Sequence, residues 1–190
     1  GAVNLMDTAA AAGVGAFINI GSIVECGPKD EPTKETDRCE PSELYAVTKL
    51  AATTYGQSLA ERKGFPFLSF RLTTPYGPRI QQGRLVRVLI EKTLRGEPIS
   101  LSSPDISRDY VFVGDIPPLL FEALDNAAVL KGEIFNLGSG TPVTIAELLG
   151  VIEGVLKKQA LPQWGAFPVQ SYDKKLLVAN MEKTFEHFSW

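Results

Sequence analysis

Apolar positions in the first half of the chain alternate between helix-like stretches and short continuous runs. Ala2 to Ala12 is rich in alanine, the strongest helix former, and predicts a helix stopped by Gly13. Ala16 to Ile20 is a short apolar run of the kind a buried parallel strand shows, and it ends in Gly21-Ser22. Pro28 to Pro41 is polar and punctuated by proline, which predicts a surface loop. Ser42 to Lys63 predicts a long helix, with Ser42 as N-cap and Glu43 at the positive end of its dipole. Phe65 to Leu72 predicts a second buried strand, and Thr73 to Gly83, broken by Pro75, Gly77, Pro78 and Gly83, a loop.

The second half is less uniform. Leu85 to Arg95 predicts a helix with a basic side, and Pro98 to Leu101 and Tyr110 to Val113 short strands. Asp115 is placed to cap a helix through Leu124, whose Pro117 and Pro118 fall in the tolerant first turn. Glu133 to Leu137 predicts a third buried strand, followed by a turn at Gly138-Ser139-Gly140. Thr144 and Glu147 form a capping box, behind which Ile145, Leu148, Leu149, Ile152, Val155 and Leu156 make one apolar helical stripe. Beyond Leu161 the pattern is weak. Strands alternating with helices predict an α/β fold built on parallel strands.

Composition narrows the class of protein. A chain of 190 residues with 44% hydrophobic and 22% charged residues has the makeup of an ordinary globule with one good core. A net charge of −3 argues against a nucleic-acid partner or an anionic membrane surface. The longest apolar run, Ala9 to Ile18, is half of the roughly 20 residues a membrane span needs. No basic leader with a cleavage site opens the chain. Cys26 and Cys39 offer no metal or redox spacing, so a reducing cytoplasm is the expected home.

Candidate chemistry centres on Tyr45 and Lys49. Standing four apart, they share one helix face, which holds a phenol and an ammonium together. A neighbouring ammonium favours the phenolate, drawing the phenol from its usual value of about 10 towards working pH, so Tyr45 is a candidate acid/base for an alcohol. Ser22 closes the first strand 23 positions earlier. Parallel α/β sheets collect their chemistry just beyond the carboxyl ends of the strands, and there Ser22 can share the same substrate alcohol with the phenol.

Five blocks in order carry a family resemblance. They are Phe17-Ile18-Asn19-Ile20-Gly21-Ser22 with Gly27; Tyr45-Ala46-Val47-Thr48-Lys49; Arg71 to Arg79; Ser107 to Asp115; and Phe135 to Gly140 with Thr144 to Leu148. Over nearly its whole length the chain resembles an extended short-chain dehydrogenase/reductase of the NAD-dependent sugar-nucleotide epimerase/dehydratase group. The resemblance implies a partial Rossmann-like, doubly wound parallel sheet with a small α/β substrate-binding domain. Residues 1–72, with strand 133–138 returning to them, would form the dinucleotide-binding part, and residues 73–132 and 139–190 the substrate-binding part.

In the implied mechanism Ser22, Tyr45 and Lys49 are catalytic. Tyr45, Lys49 and Pro75 border the nicotinamide end of NAD or NADP. Ser22, Thr74, Arg84 and Arg108 bind a nucleotide-sugar substrate, with the Arg108 fork on its diphosphate. Thr74 stands where many relatives have a substrate-binding asparagine, which leaves the sugar open. Ile23-Val24 stand where dehydratases place an acidic pair, so a 4-epimerase or keto-sugar reductase is expected. The implied full-length protein is a cytoplasmic homodimer. His187, the only histidine, is expected at the surface of the last helix.

The resemblance also predicts a fragment. Nothing in the sequence matches the Gly-x-x-Gly-x-x-Gly turn or the acidic ribose-binding residue of a dinucleotide site. Gly13-Val14-Gly15 precedes a strand instead of opening a helix. Three strands without their neighbours would leave open edges for a partner to cover. Two other readings stay open: an inactive binding or assembly module, and the same fold acting on a non-sugar alcohol.

Overall fold

The computed structural model describes residues 1–169 and 176–190. Eight strands and six α-helices follow one another in the described residues. They are α1 (Ala2–Ala11), β1 (Phe17–Ser22), α2 (Leu44–Lys63), β2 (Phe67–Leu72), β3 (Thr74–Tyr76), α3 (Leu85–Arg95) and β4 (Pro98–Ser100); then β5 (Ser107–Phe112), α4 (Ile116–Asp125), β6 (Ile134–Leu137), β7 (Pro142–Thr144), α5 (Ile145–Leu156), β8 (Leu161–Gln163) and α6 (Glu182–His187).

The main sheet is parallel throughout, in the order β1-β2-β6, with Ser22 level with Leu72 and Leu72 level with Leu137. Side chains of β2 alternate between its faces. Phe67 joins Met6, Ala52 and Leu59 of α1 and α2 on one side. Leu68 and Phe70 join Phe135, Phe188, Leu119 and Ala123 of α4 on the other. Gly56 lets α2 settle directly onto β2, because a Cβ there would lie 2.1 Å from the Phe67 ring. A second core gathers Leu89 of α3 with Ile145, Leu149 and Ile152 of α5.

Several sequence expectations change here. Thr74–Tyr76 is a strand rather than loop, pairing in parallel with β5. Pro75 fits because β3 lies at the sheet's edge in the order β3-β5-β7, where a missing N–H is tolerated. β5 begins at Ser107, three residues before the predicted strand, so Arg108 sits on a strand paired to Val143 of β7. Helix α2 starts at Leu44 with Glu43 as its extended N-cap, leaving Ser42 one residue too early to cap it. Asp115 is the N-cap of α4 but caps without a side-chain hydrogen bond. Val155 is exposed and leaves the α5 stripe. Cys26 and Cys39 are joined in a disulfide that their spacing does not announce. His187 is exposed on α6 as expected, with its Nδ1 2.9 Å from the Lys183 carbonyl oxygen and its ring edge-on to Phe135. Among the described residues no helix is long and apolar enough to cross a membrane.

Candidate active site

The carboxyl ends of β1 and β2 open into one cavity of about 850 Å³, a volume suited to a small-molecule ligand. All seven residues singled out in the sequence line it: Ser22, Tyr45, Lys49, Thr74, Pro75, Arg84 and Arg108.

They arrive on five elements, β1, α2, β3, the start of α3 and β5. Ser22 is the last residue of β1, where the strand gives way to a 3-10 turn, Ile23–Cys26. Lys49, on α2, donates from Nζ to the Ile20 carbonyl oxygen at 2.7 Å, which ties the helix to the end of β1. The same ammonium lies 5.7 Å from the centroid of the Tyr45 ring. Tyr45 itself is 56% exposed, a ring open to the cavity rather than packed in core. Thr74 and Pro75 come from β3, Arg84 is the N-cap of α3, and Arg108 comes from β5 with an Nη1 bond to the Ser107 carbonyl at 2.7 Å.

Other lining residues escaped the sequence reading. Tyr110 reaches the wall from β5, opposite Thr74, and burial pushes its phenol above the usual 10 against a smaller opposing pull from Arg108. Arg79 adds a cation on left-handed backbone, φ 66°, a conformation uncommon outside glycine that often marks functional sites. Its place at the end of the Arg71–Arg79 block was the available signal. Among the described residues the cavity wall carries Lys49, Arg79, Arg84 and Arg108 against a single acid, Glu43, in a chain of net charge −3. A wall so biased suits a ligand with a diphosphate.

Behind the wall Asp109 holds β5 to the turn after β6. It accepts from the Ser139 N–H and hydroxyl at 2.6 and 2.7 Å, and from the Gly140 and Ala179 N–H groups at 3.1 Å. Gly138 sits so close that a Cβ would lie 2.4 Å from the Asp109 carboxylate. Arg108 and Tyr110 flank this anchored residue and inherit its rigidity.

A parallel sheet with helices on both faces and a cleft at the carboxyl ends of its strands defines a Rossmann-like α/β protein. Residues 1–138 match the model of the NAD dependent epimerase/dehydratase family, and the chain belongs to that family of enzymes. The dTDP-4-dehydro-6-deoxyglucose reductase of Escherichia coli is 30% identical over 140 residues, 71% of this chain and 43% of that protein. UDP-glucuronate 4-epimerase 1 of Arabidopsis thaliana is 29% identical over 145 residues, 68% of this chain and 34% of its own. The structure of Thermus thermophilus UDP-glucose 4-epimerase in complex with NAD superposes with a TM-score of 0.87 at 26% identity, covering 98% of this chain and 62% of that one. The chain thus spans less than half the length of the two curated relatives.

The donor set fits one end of NAD. A phenol and an ammonium on one helix face, with Pro75 beside them on the same cavity, suit a ribose and a nicotinamide ring. For the diphosphate end the sequence carries no glycine-rich turn opening a helix.

Proposed function

We propose that the protein bearing this chain is an NAD-dependent sugar-nucleotide 4-epimerase or keto-sugar reductase. The observation that carries this reading is the convergence of Ser22, Tyr45 and Lys49 with Arg84 and Arg108 on one cavity. In it, residues 1–72 and 133–138 serve the cofactor side and residues 73–132 and 139–190 the substrate side. The full-length protein is taken as a cytoplasmic homodimer.

Bound NAD supplies the acceptor and donor for a hydride at the sugar carbon. The Tyr45 hydroxyl moves the proton of the sugar alcohol. Lys49, anchored on the Ile20 carbonyl, keeps the phenol in place and presents its ammonium to the nicotinamide ribose. Ser22 donates to or accepts from the reacting oxygen and so fixes its orientation. Arg108 grips the substrate diphosphate, with Arg84 beside it. Dehydration is disfavoured because Ile23, where an acid would be needed, is buried against Leu177 and Ala179 with Val24 packed alongside, away from the cavity.

The test is Tyr45→Phe in the full-length protein. Turnover of UDP-glucose or UDP-glucuronate should vanish while their binding stays near normal, since only a proton-transfer group is lost. An unchanged kcat would sink the mechanism.

A further inference from the structure

One ion pair lies in the floor behind the site and takes no part in lining it. Glu25 is fully buried and Arg71 is 3% exposed, with Nε 3.3 Å from Oε2. A buried pair of this kind is weak support for stability, because apolar residues of similar volume hold a fold as well or better. Its bonds point to another role. Glu25 Oε1 accepts the backbone N–H of Ser22 at 2.8 Å and the Thr53 hydroxyl at 3.2 Å. Thr53 stands one helical turn beyond Lys49 on α2. Arg71, level with Gly21 on the neighbouring strand, sends its other nitrogens to the Glu35 carbonyl (3.2 Å) and to Cys39 Sγ (3.1 Å). Gly21 leaves room for the carboxylate, as a Cβ there would lie 2.5 Å from Oε1. One carboxylate thus joins the end of β1, helix α2 and strand β2: the first two deliver Ser22 and the Tyr45/Lys49 pair, and the third runs on into β3 with its Thr74–Pro75 wall.

We infer that Glu25 and Arg71 are positioning residues that set the Ser22 hydroxyl against Tyr45. The inference rests on the reading of Ser22 as a substrate-contacting group. The backbone at Ser22 is fixed, because its N–H is bound to the carboxylate and the chain turns into the 3-10 helix directly after it, and this sets the direction in which its side chain leaves. Glu25→Gln keeps the shape and one acceptor oxygen but dissolves the ion pair, letting the turn shift. Glu25→Met removes the acceptor altogether.

The experiment is a double-mutant cycle with Ser22→Ala in the full-length protein, using UDP-glucose and UDP-glucuronate as probes. Glu25→Gln should lower kcat roughly tenfold or more, the scale of a supporting residue, with KM nearly unchanged. On the Ser22→Ala background the same change should cost less than about twofold, because the group it positions is gone. An equal loss on both backgrounds would overturn the inference, leaving a residue that serves folding alone. A kcat indifferent to Ser22→Ala would instead strike the proposed role of Ser22. A second measurement needs no turnover. In the 190-residue chain, amide exchange at Ser22 should accelerate at least tenfold in Glu25→Met relative to Ile18 and Phe70; unchanged protection at Ser22 would also overturn the inference. Where either single variant fails to fold, the neutral pair Glu25→Met with Arg71→Met, which strands no charge, takes its place in both measurements.

Discussion

Lys49 reaches in two directions, to a main-chain oxygen on the neighbouring strand and over the ring of Tyr45 one turn away. The first contact makes the second reproducible, since a free lysine would sample many rotamers. Arg108 is held in a comparable way, on a paired strand beside the anchored Asp109. An arginine fixed before its ligand arrives loses little freedom on binding. Arg108→Ala should therefore weaken UDP-glucose binding by roughly 1.5–3 kcal/mol, the scale of charge-assisted hydrogen bonds. Calorimetry on both proteins decides it, and equal affinities would remove Arg108 from the substrate site.

Helix α5 shows how a terminus is secured by sequence alone. Thr144 and Glu147 exchange hydrogen bonds, Glu147 N–H to Thr144 Oγ1 at 3.1 Å and Thr144 N–H to Glu147 Oε2 at 2.8 Å. The Thr144 amide, then its hydroxyl, holds the Glu147 carboxyl below its ordinary value of 4.5. A carboxyl lowered on folding stabilises above its unfolded value, and that contribution is lost as pH falls through the lower folded one. Glu147→Gln should thus cost stability at pH 7 and progressively less as the pH falls below 4.5, read from urea midpoints; a difference that does not change with pH would count against the box. Between α2 and β2 the limiting contact is steric. Gly56→Ala drives a methyl into the Phe67 ring and should destabilise by about 1–3 kcal/mol or more, while an unchanged thermal midpoint would mean the helix can lift at no cost.

At the scale of the molecule, charge is sorted rather than spread. Among the described residues four cations face the cavity of a chain whose acidic residues outnumber its basic ones, 22 against 19. Field lines focused in such a cleft attract anionic ligands and weaken with salt. The substrate side is the better equipped. Dinucleotide affinity in this architecture comes largely from a diphosphate resting on a helix N-terminus behind a glycine-rich turn, and the 190 residues contain no such turn. Titrated with NAD, this chain should bind only in the millimolar range or weaker, several tenfold steps of about 1.4 kcal/mol each below a complete site. Micromolar affinity would mean that it builds its cofactor site another way.

What the sequence determined by itself was local. The Tyr45/Lys49 pairing follows from helical periodicity and the α5 start from its capping box, because each depends on residues within one or two turns. Its place at the end of β1 pointed to Ser22, and the family blocks added Pro75 and Arg108. Only the tertiary structure decided the contacts that join distant segments. β3 became a strand because β5 was there to pair with it. Glu25 gained its role by meeting Arg71, 46 positions away, and Thr53, 28 away. Asp109 became an anchor because the turn after β6 and Ala179 converge on it. Such partners are chosen by how sheets and helices pack, and no spacing along the chain encodes them.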